Sequence, residues 1–196
     1  MDTTAQEVLD FWLNEVGSDG WYETNPALDG RIRERYLDLW EAARRGAYRT
    51  WICKAESCLA LVIVLDQFPR NMFRGDARSF ATDPRALAVA KSAIQRGHDK
   101  RIDLPERQFF YMPLQHSEVL ANQDRGVRQF LLNFGPGELL DHARAHRVII
   151  RRFGRFPFRN AALGRISTPA EEAFLAAGGY QAAKAEVGLA PVGKLG

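Results

Sequence analysis

Residues 55–68 read AESCLALVIVLDQF, and Pro69 follows directly. The stretch from Cys58 to Leu65 is apolar without interruption, too short for a bilayer span, which needs about 20 such residues. The β-branched run Leu61-Val62-Ile63-Val64 would also suit a buried strand, but its flanks carry helical spacing, which decides for helix. A helix from about Ala55 to Phe68, apolar almost all round, belongs at the centre of a set of other helices. Proline cannot continue the hydrogen-bond ladder, so Pro69 is expected to end it.

Helix signals extend outward in both directions. Thr4 followed by Glu7 is the pattern of a capping box, and Val8, Leu9, Phe11 and Trp12 come after it. Asn25-Pro26 supplies an N-cap and a first-turn proline, and Ile32, Tyr36, Leu37, Trp40 and Ala43 form the stripe that buries that helix. Gly46 is placed to close it. Downstream, Asp83-Pro84 opens a helix that reaches Gly97. Pro105 and Pro113 bracket a short aromatic turn, and a further helix carries Val119, Leu120, Val127, Phe130 and Leu131. Another helix runs from Gly135-Pro136 to about Phe153, and Thr168-Pro169-Ala170-Glu171 is a second capping box. No run alternates with period two, so strands are not expected. The reading is an all-α fold of about eight helices in antiparallel pairs. It has one domain over residues 1–178 and a loosely ordered tail over 179–196.

Composition agrees with a folded, soluble and cytoplasmic chain. Of 196 residues, 46% are hydrophobic and 26% charged, ordinary values for a globular protein. Cys53 and Cys58 lack a metal-type or redox-type spacing, and the N-terminus has no secretory pattern. The formal charge of +3 is too small to identify a nucleic-acid binder, but it is unevenly placed. No acidic residue occurs from His142 to Ala170, where Arg144, Arg147, Arg151, Arg152, Arg155, Arg159 and Arg165 all fall.

A Phe-Pro motif occurs twice with arginine and asparagine behind it. The first copy is Phe68-Pro69-Arg70-Asn71 and the second Phe156-Pro157-Phe158-Arg159-Asn160. The first sits in Leu65-Asp66-Gln67-Phe68-Pro69-Arg70-Asn71-Met72-Phe73-Arg74-Gly75. Together with Phe80-Ala81-Thr82-Asp83, Phe110-Tyr111-Met112-Pro113-Leu114-Gln115-His116-Ser117-Glu118, the segment from His146-Arg147 to Asn160, and Ser167-Thr168-Pro169, it resembles the bacterial family catalogued as domain of unknown function 924. The resemblance runs from Val8 to Leu175. It implies a tetratricopeptide-like right-handed helical array or compact bundle, and it leaves the function open. Phe158 stands where the family carries a histidine.

Three sets of residues are candidates for chemistry. Asp66, Gln67, Arg70, Asn71 and Arg74 gather polar groups at the end of an apolar helix. They form either a structural network or the mouth of a pocket whose arginines offer forked donors to a carboxylate or phosphate. His116-Ser117-Glu118 suits general acid–base work with His116 as base and Glu118 or Asp66 orienting it. Its plain alternative is Ser117 capping a helix. The arginines of the second turn, with His146, Arg147, Arg155, Arg159 and Asn160, form an anion site or pair with the protein's own acids. His142 and His146 stand one helical turn apart, outside an H-E-x-x-H pattern, and neither metal nor other cofactor is expected.

The leading expectation is a helical domain holding an anionic small molecule or peptide in a cleft lined by arginine and asparagine. An acid–base enzyme using His116 in the same cleft is the alternative. RNA binding, through arginines interleaved with Phe153, Phe156 and Phe158, is third.

Overall fold

The computed structural model describes residues 3–188, and among them there is no strand. The chain divides into two compact units, Met1–Pro113 and Leu114–Gly196.

The first unit is built around the helix that the apolar run predicts. Here α1 (Thr3–Leu9) passes into a π-helical stretch, Asp10–Val16. It is followed by α2 (Pro26–Arg45), α3 (Ala55–Met72) and α4 (Asp83–Gln95). Asn25 caps α2, its Oδ1 accepting from the backbone N–H of Ala27 and Leu28, and Gly46 closes the helix at φ +99°. Helix α3 packs against α1, α2 and α4, and all its residues except Glu56 and Arg70 are buried. The Phe68 ring stacks on Tyr36 at 4.8 Å and meets Phe11 and Trp12 edge-on. Aromatic pairs at such separations add to the stabilisation from buried area alone.

Pro69 does not end α3, which continues one further turn to Met72. A proline here withholds the N–H that the Leu65 carbonyl would otherwise receive. That carbonyl is fully buried, and the Thr82 hydroxyl donates to it instead at 2.6 Å. Thr82 Oγ1 in turn accepts from the Trp40 indole N–H at 3.1 Å. One buried hydroxyl therefore joins α2, α3 and the start of α4.

In the second unit, α5 (Leu120–Phe134) and α6 (Glu138–Phe153) pack together, and α8 (Tyr180–Gly188) packs on α6. Gly154 closes α6 at φ +70°. Between these lies α7 (Pro169–Ala176), whose capping box forms as the sequence pattern predicts: Thr168 Oγ1 accepts from Glu171 N, and Glu171 Oε2 accepts from Thr168 N. Ala145, Ile149, Ile150, Phe156, Phe174, Ala183 and Val187 form the core of this unit. The tail expectation needs correction over residues 180–188, which form α8 because Ala183 and Val187 bury one face of it against α6. The remainder, 189–196, lies outside the described residues.

Thr82→Val keeps the side-chain shape but strands the Leu65 carbonyl and the Trp40 N–H. The expected loss is about 1–3 kcal/mol, seen as a lower urea midpoint, with Thr82→Ser close to the parent. An unchanged midpoint in Thr82→Val would show that the hydroxyl does not bridge the proline gap.

Candidate functional site

At the first Phe-Pro turn the arginines meet the protein's own acids. Arg70 forms a two-pronged pair with Asp83, at 2.9 and 3.0 Å, and donates to the Asp66 carbonyl at 2.7 Å. The Asp66 carboxylate lies 3.5 Å from the same guanidinium. Burial works against the Arg70 charge, but Asp66 and Asp83 outweigh it and hold its pKa above the ordinary value. Arg74 forks onto Asp29 at 2.5 and 3.0 Å and reaches Asn71 Oδ1 at 2.7 Å. Gln67 donates to Asp66 at 2.5 Å, and Asn71 donates to the Gln67 carbonyl at 3.1 Å. Asp66, Gln67, Arg70, Asn71 and Arg74 are thus one connected network in the first unit.

The second turn repeats this arrangement with different partners. Arg155 forks onto Glu171 at 2.6 and 2.8 Å and also donates to the Ile166 carbonyl. Glu171 therefore caps α7 and neutralises Arg155 together, and these contacts pull its carboxyl down to about 2. Arg165 forks onto Glu118 at 2.9 Å on both prongs, and the Phe156 backbone N–H donates to Glu118 Oε1. Burial would raise the Glu118 pKa, but those three donors and the Arg159 charge lower it. Arg159 is buried, lies over the Phe156 ring at 4.6 Å and donates to the His116 carbonyl at 3.0 Å. Asn160 donates to Ser167 Oγ at 3.1 Å.

These pairings change the reading of His116. Both Glu118 oxygens accept from Arg165, and Oε1 also accepts from the Phe156 amide, so Glu118 serves the second turn as a structural carboxylate. Ser117 Oγ accepts from Asn122 Nδ2 at 2.8 Å and from Val119 N, at the entry to α5. It acts as a turn-forming hydroxyl before the helix, whose N-cap is Val119 with no side-chain cap bond, so Ser117 does not cap the helix as the plain alternative has it. Asp66, the other proposed orienting group, belongs to the first unit and His116 to the second.

His116 instead has His146 beside it, their ring centroids 6.0 Å apart. His146 Nδ1 lies 2.8 Å from the His142 carbonyl, which can only accept. The proton is therefore on Nδ1, and Nε2 carries the lone pair. Burial first, then the His116 and Arg159 charges, push the His146 pKa down to about 3, so the ring is neutral at ordinary pH. Tyr180 hydrogen-bonds His142 Nδ1 and packs on the His146 ring at 4.9 Å.

Arg147 differs from the other arginines. It is 9% exposed, and its charge is met by a 3.5 Å approach to Asp124, a carboxylate that also lies 3.9 Å from Arg151. Its Nε makes no hydrogen bond. Burial and the Arg151 charge pull its pKa below the ordinary arginine value, and Asp124 offsets this only in part. Through Asp124 it reaches α5.

Sequence reasoning named the arginines and missed most of their partners, Asp29, Asp83, Glu171 and Asp124, and it missed Tyr180 as the partner of His142. Asp83 and Glu171 were visible only as helix-start residues. An acid at a helix entry has a second oxygen free for an arginine, and that was the available signal.

A family model described as a bacterial protein of unknown function (DUF924) matches residues 8–179. A solved structure of a protein of unknown function from Agrobacterium tumefaciens is 43% identical. The match covers 88% of this chain and 97% of that one, with a TM-score of 0.84. No curated protein matches the chain. Among the described residues, no helix is long and apolar enough to cross a membrane.

The Glu171 contacts set a pH dependence. Its carboxyl sits near 2 in the fold against an ordinary 4.5, so its contribution is complete above about pH 4.5 and is lost as pH falls towards 2. Glu171→Gln is expected to lower the thermal midpoint at pH 7 and to flatten its decline between pH 5 and 2. An equally steep decline in the variant would place the acid sensitivity elsewhere.

Proposed function

We propose that this chain, which belongs to the bacterial family of unknown function DUF924, is a helical binding domain for an anionic small molecule or peptide, with Arg147 as its anchor. The observation that carries this reading is the uneven charge balance at α6. A buried guanidinium with a free Nε shares one long, half-exposed carboxylate contact with Arg151. A buried charge is costly unless it is paired and hydrogen-bonded. An incoming carboxylate or phosphate on the Arg151 side would supply the missing negative charge, since guanidinium geometry suits either. Arg70, Arg74 and Arg155, engaged by Asp83, Asp29 and Glu171, serve as framework for the two turns.

RNA stacking has less support. Phe156 is buried, and of the three phenylalanines Phe158, at 41% exposure, presents the most open ring.

Arg147→Met replaces an under-compensated buried charge with an apolar chain of similar length. Expected is stability equal to or above the parent, together with at least a ten-fold loss of affinity for inorganic phosphate. The readouts are the thermal midpoint and phosphate-induced shifts of the arginine Nε–H resonances. A strongly destabilised variant, or an undiminished phosphate response, would overturn the assignment.

Acid–base chemistry at His116 is a second reading, supported by the neutral imidazole beside it. His146 Nε2 offers an acceptor in a ring packed among His116, Phe156 and Tyr180. On this reading the His146 ring carbons show no titration shift between pH 8 and 5 in NMR spectra, because the ring stays unprotonated down to about 3. Titration near 6 would remove it.

A further inference from the structure

The first unit contains a cavity lined, among the residues discussed so far, by Ala43, Leu61 and Leu65. It has a volume of about 320 Å³ and lies among α2, α3, α4 and the 3-10 turn Arg49–Cys53. Its walls are chiefly apolar, from Ala43, Ile52, Leu61, Leu65 and Val89. Two arginines, Arg49 and Arg85, line it as well. Their guanidinium groups converge over Gly46: Arg85 Nη1 and Arg49 Nη2 lie 3.0 and 3.7 Å from the point a Cβ on that glycine would occupy. Gly46 is favoured there by its left-handed φ of +99°.

Among the described residues, Arg49 and Arg85 contrast with Arg70, Arg74, Arg155 and Arg165, for neither makes an ion pair or a side-chain hydrogen bond. Both are exposed residues, so solvent hydrates their charges, and a ligand carboxylate at this edge would take the place of that water. The nearest further polar side chain lining the cavity is Ser92, a neutral hydroxyl. The cavity thus combines an apolar body with a doubly cationic edge.

We infer that this cavity binds a small amphipathic carboxylate, with its carboxylate between Arg49 and Arg85 and its apolar part against Leu61, Leu65 and Val89. A single carboxylate can accept from two guanidinium groups at once, one at each oxygen. The volume stands at the small end of ligand cavities, about 300–1,000 Å³, which favours a short or medium acyl chain or a single aromatic ring over a long lipid. Apolar walls exclude a bare inorganic anion as the best occupant, since they would face water or charge instead of hydrocarbon. This site is separate from Arg147, which lies in the second unit.

Octanoate and octan-1-ol are the probes, measured by calorimetry on the full chain. The parent is expected to bind octanoate at least ten-fold more tightly than octan-1-ol. Arg49→Ala with Arg85→Ala should erase that preference while leaving the alcohol's affinity unchanged. Ala88→Trp, an exposed position on the cavity wall, should block both ligands, with circular dichroism confirming the fold. Arg147→Met should leave octanoate binding intact, which separates this site from the phosphate site. No octanoate binding by the parent, equal affinity for acid and alcohol, or full octanoate affinity in the double-arginine variant would each overturn the inference.

Discussion

A buried carbonyl without its helical partner is the constraint around which the first unit is arranged. Pro69 removes the N–H owed to Leu65, in the most apolar part of the molecule, where an unmade hydrogen bond is expensive. The Thr82 hydroxyl supplies the donor, and it can do so only if α4 begins beside the end of α3. That position also sets Asp83 opposite Arg70. The next turn of α3 can then form, carrying Asn71 to Arg74 and Arg74 to Asp29. A proline that would ordinarily stop a helix thereby organises the junction of three.

The second Phe-Pro turn is similar in sequence and solves a different problem. Its proline starts the 3-10 turn Pro157–Arg159 instead of interrupting a helix. Its arginines secure chain segments: Arg155 ties α7 through Glu171, and Arg165 ties the segment before α5 through Glu118. The shared feature is an arginine that joins a fork-shaped donor to a helix-entry or loop carboxylate. Partly buried pairs of that kind specify geometry more than they add stability. Most of the arginines in the acid-free stretch accordingly meet acids from outside it, namely Glu118, Asp124, Glu171 and Glu186.

The arginines that remain under-compensated are informative for the same reason. Arg147 has a burial cost that Asp124 offsets only in part, and Arg49 and Arg85 approach Gly46 together without an ion pair among the described residues. The former lay within the predicted arginine cluster. The latter pair did not, because Arg49 and Arg85 stand apart in sequence, one in a loop and the other in the first turn of α4.

The amino-acid sequence by itself determined the helices and most of their ends. Periodicity and capping depend on neighbours within a turn, so Asn25, Gly46, Gly154 and the Thr168–Glu171 box were all legible. It also identified α3 as the centre, because a helix apolar on every side has no other place to be. The tertiary structure alone decided that Pro69 lies inside α3, that residues 180–188 join the core as α8, and which carboxylate each arginine holds. Those outcomes rest on groups far apart in the chain, Leu65 with Thr82, Arg74 with Asp29, Glu118 with Arg165, and local patterning carries no information about such distances. Hydrogen-bond and charge balance is settled only when folding has set the partners side by side.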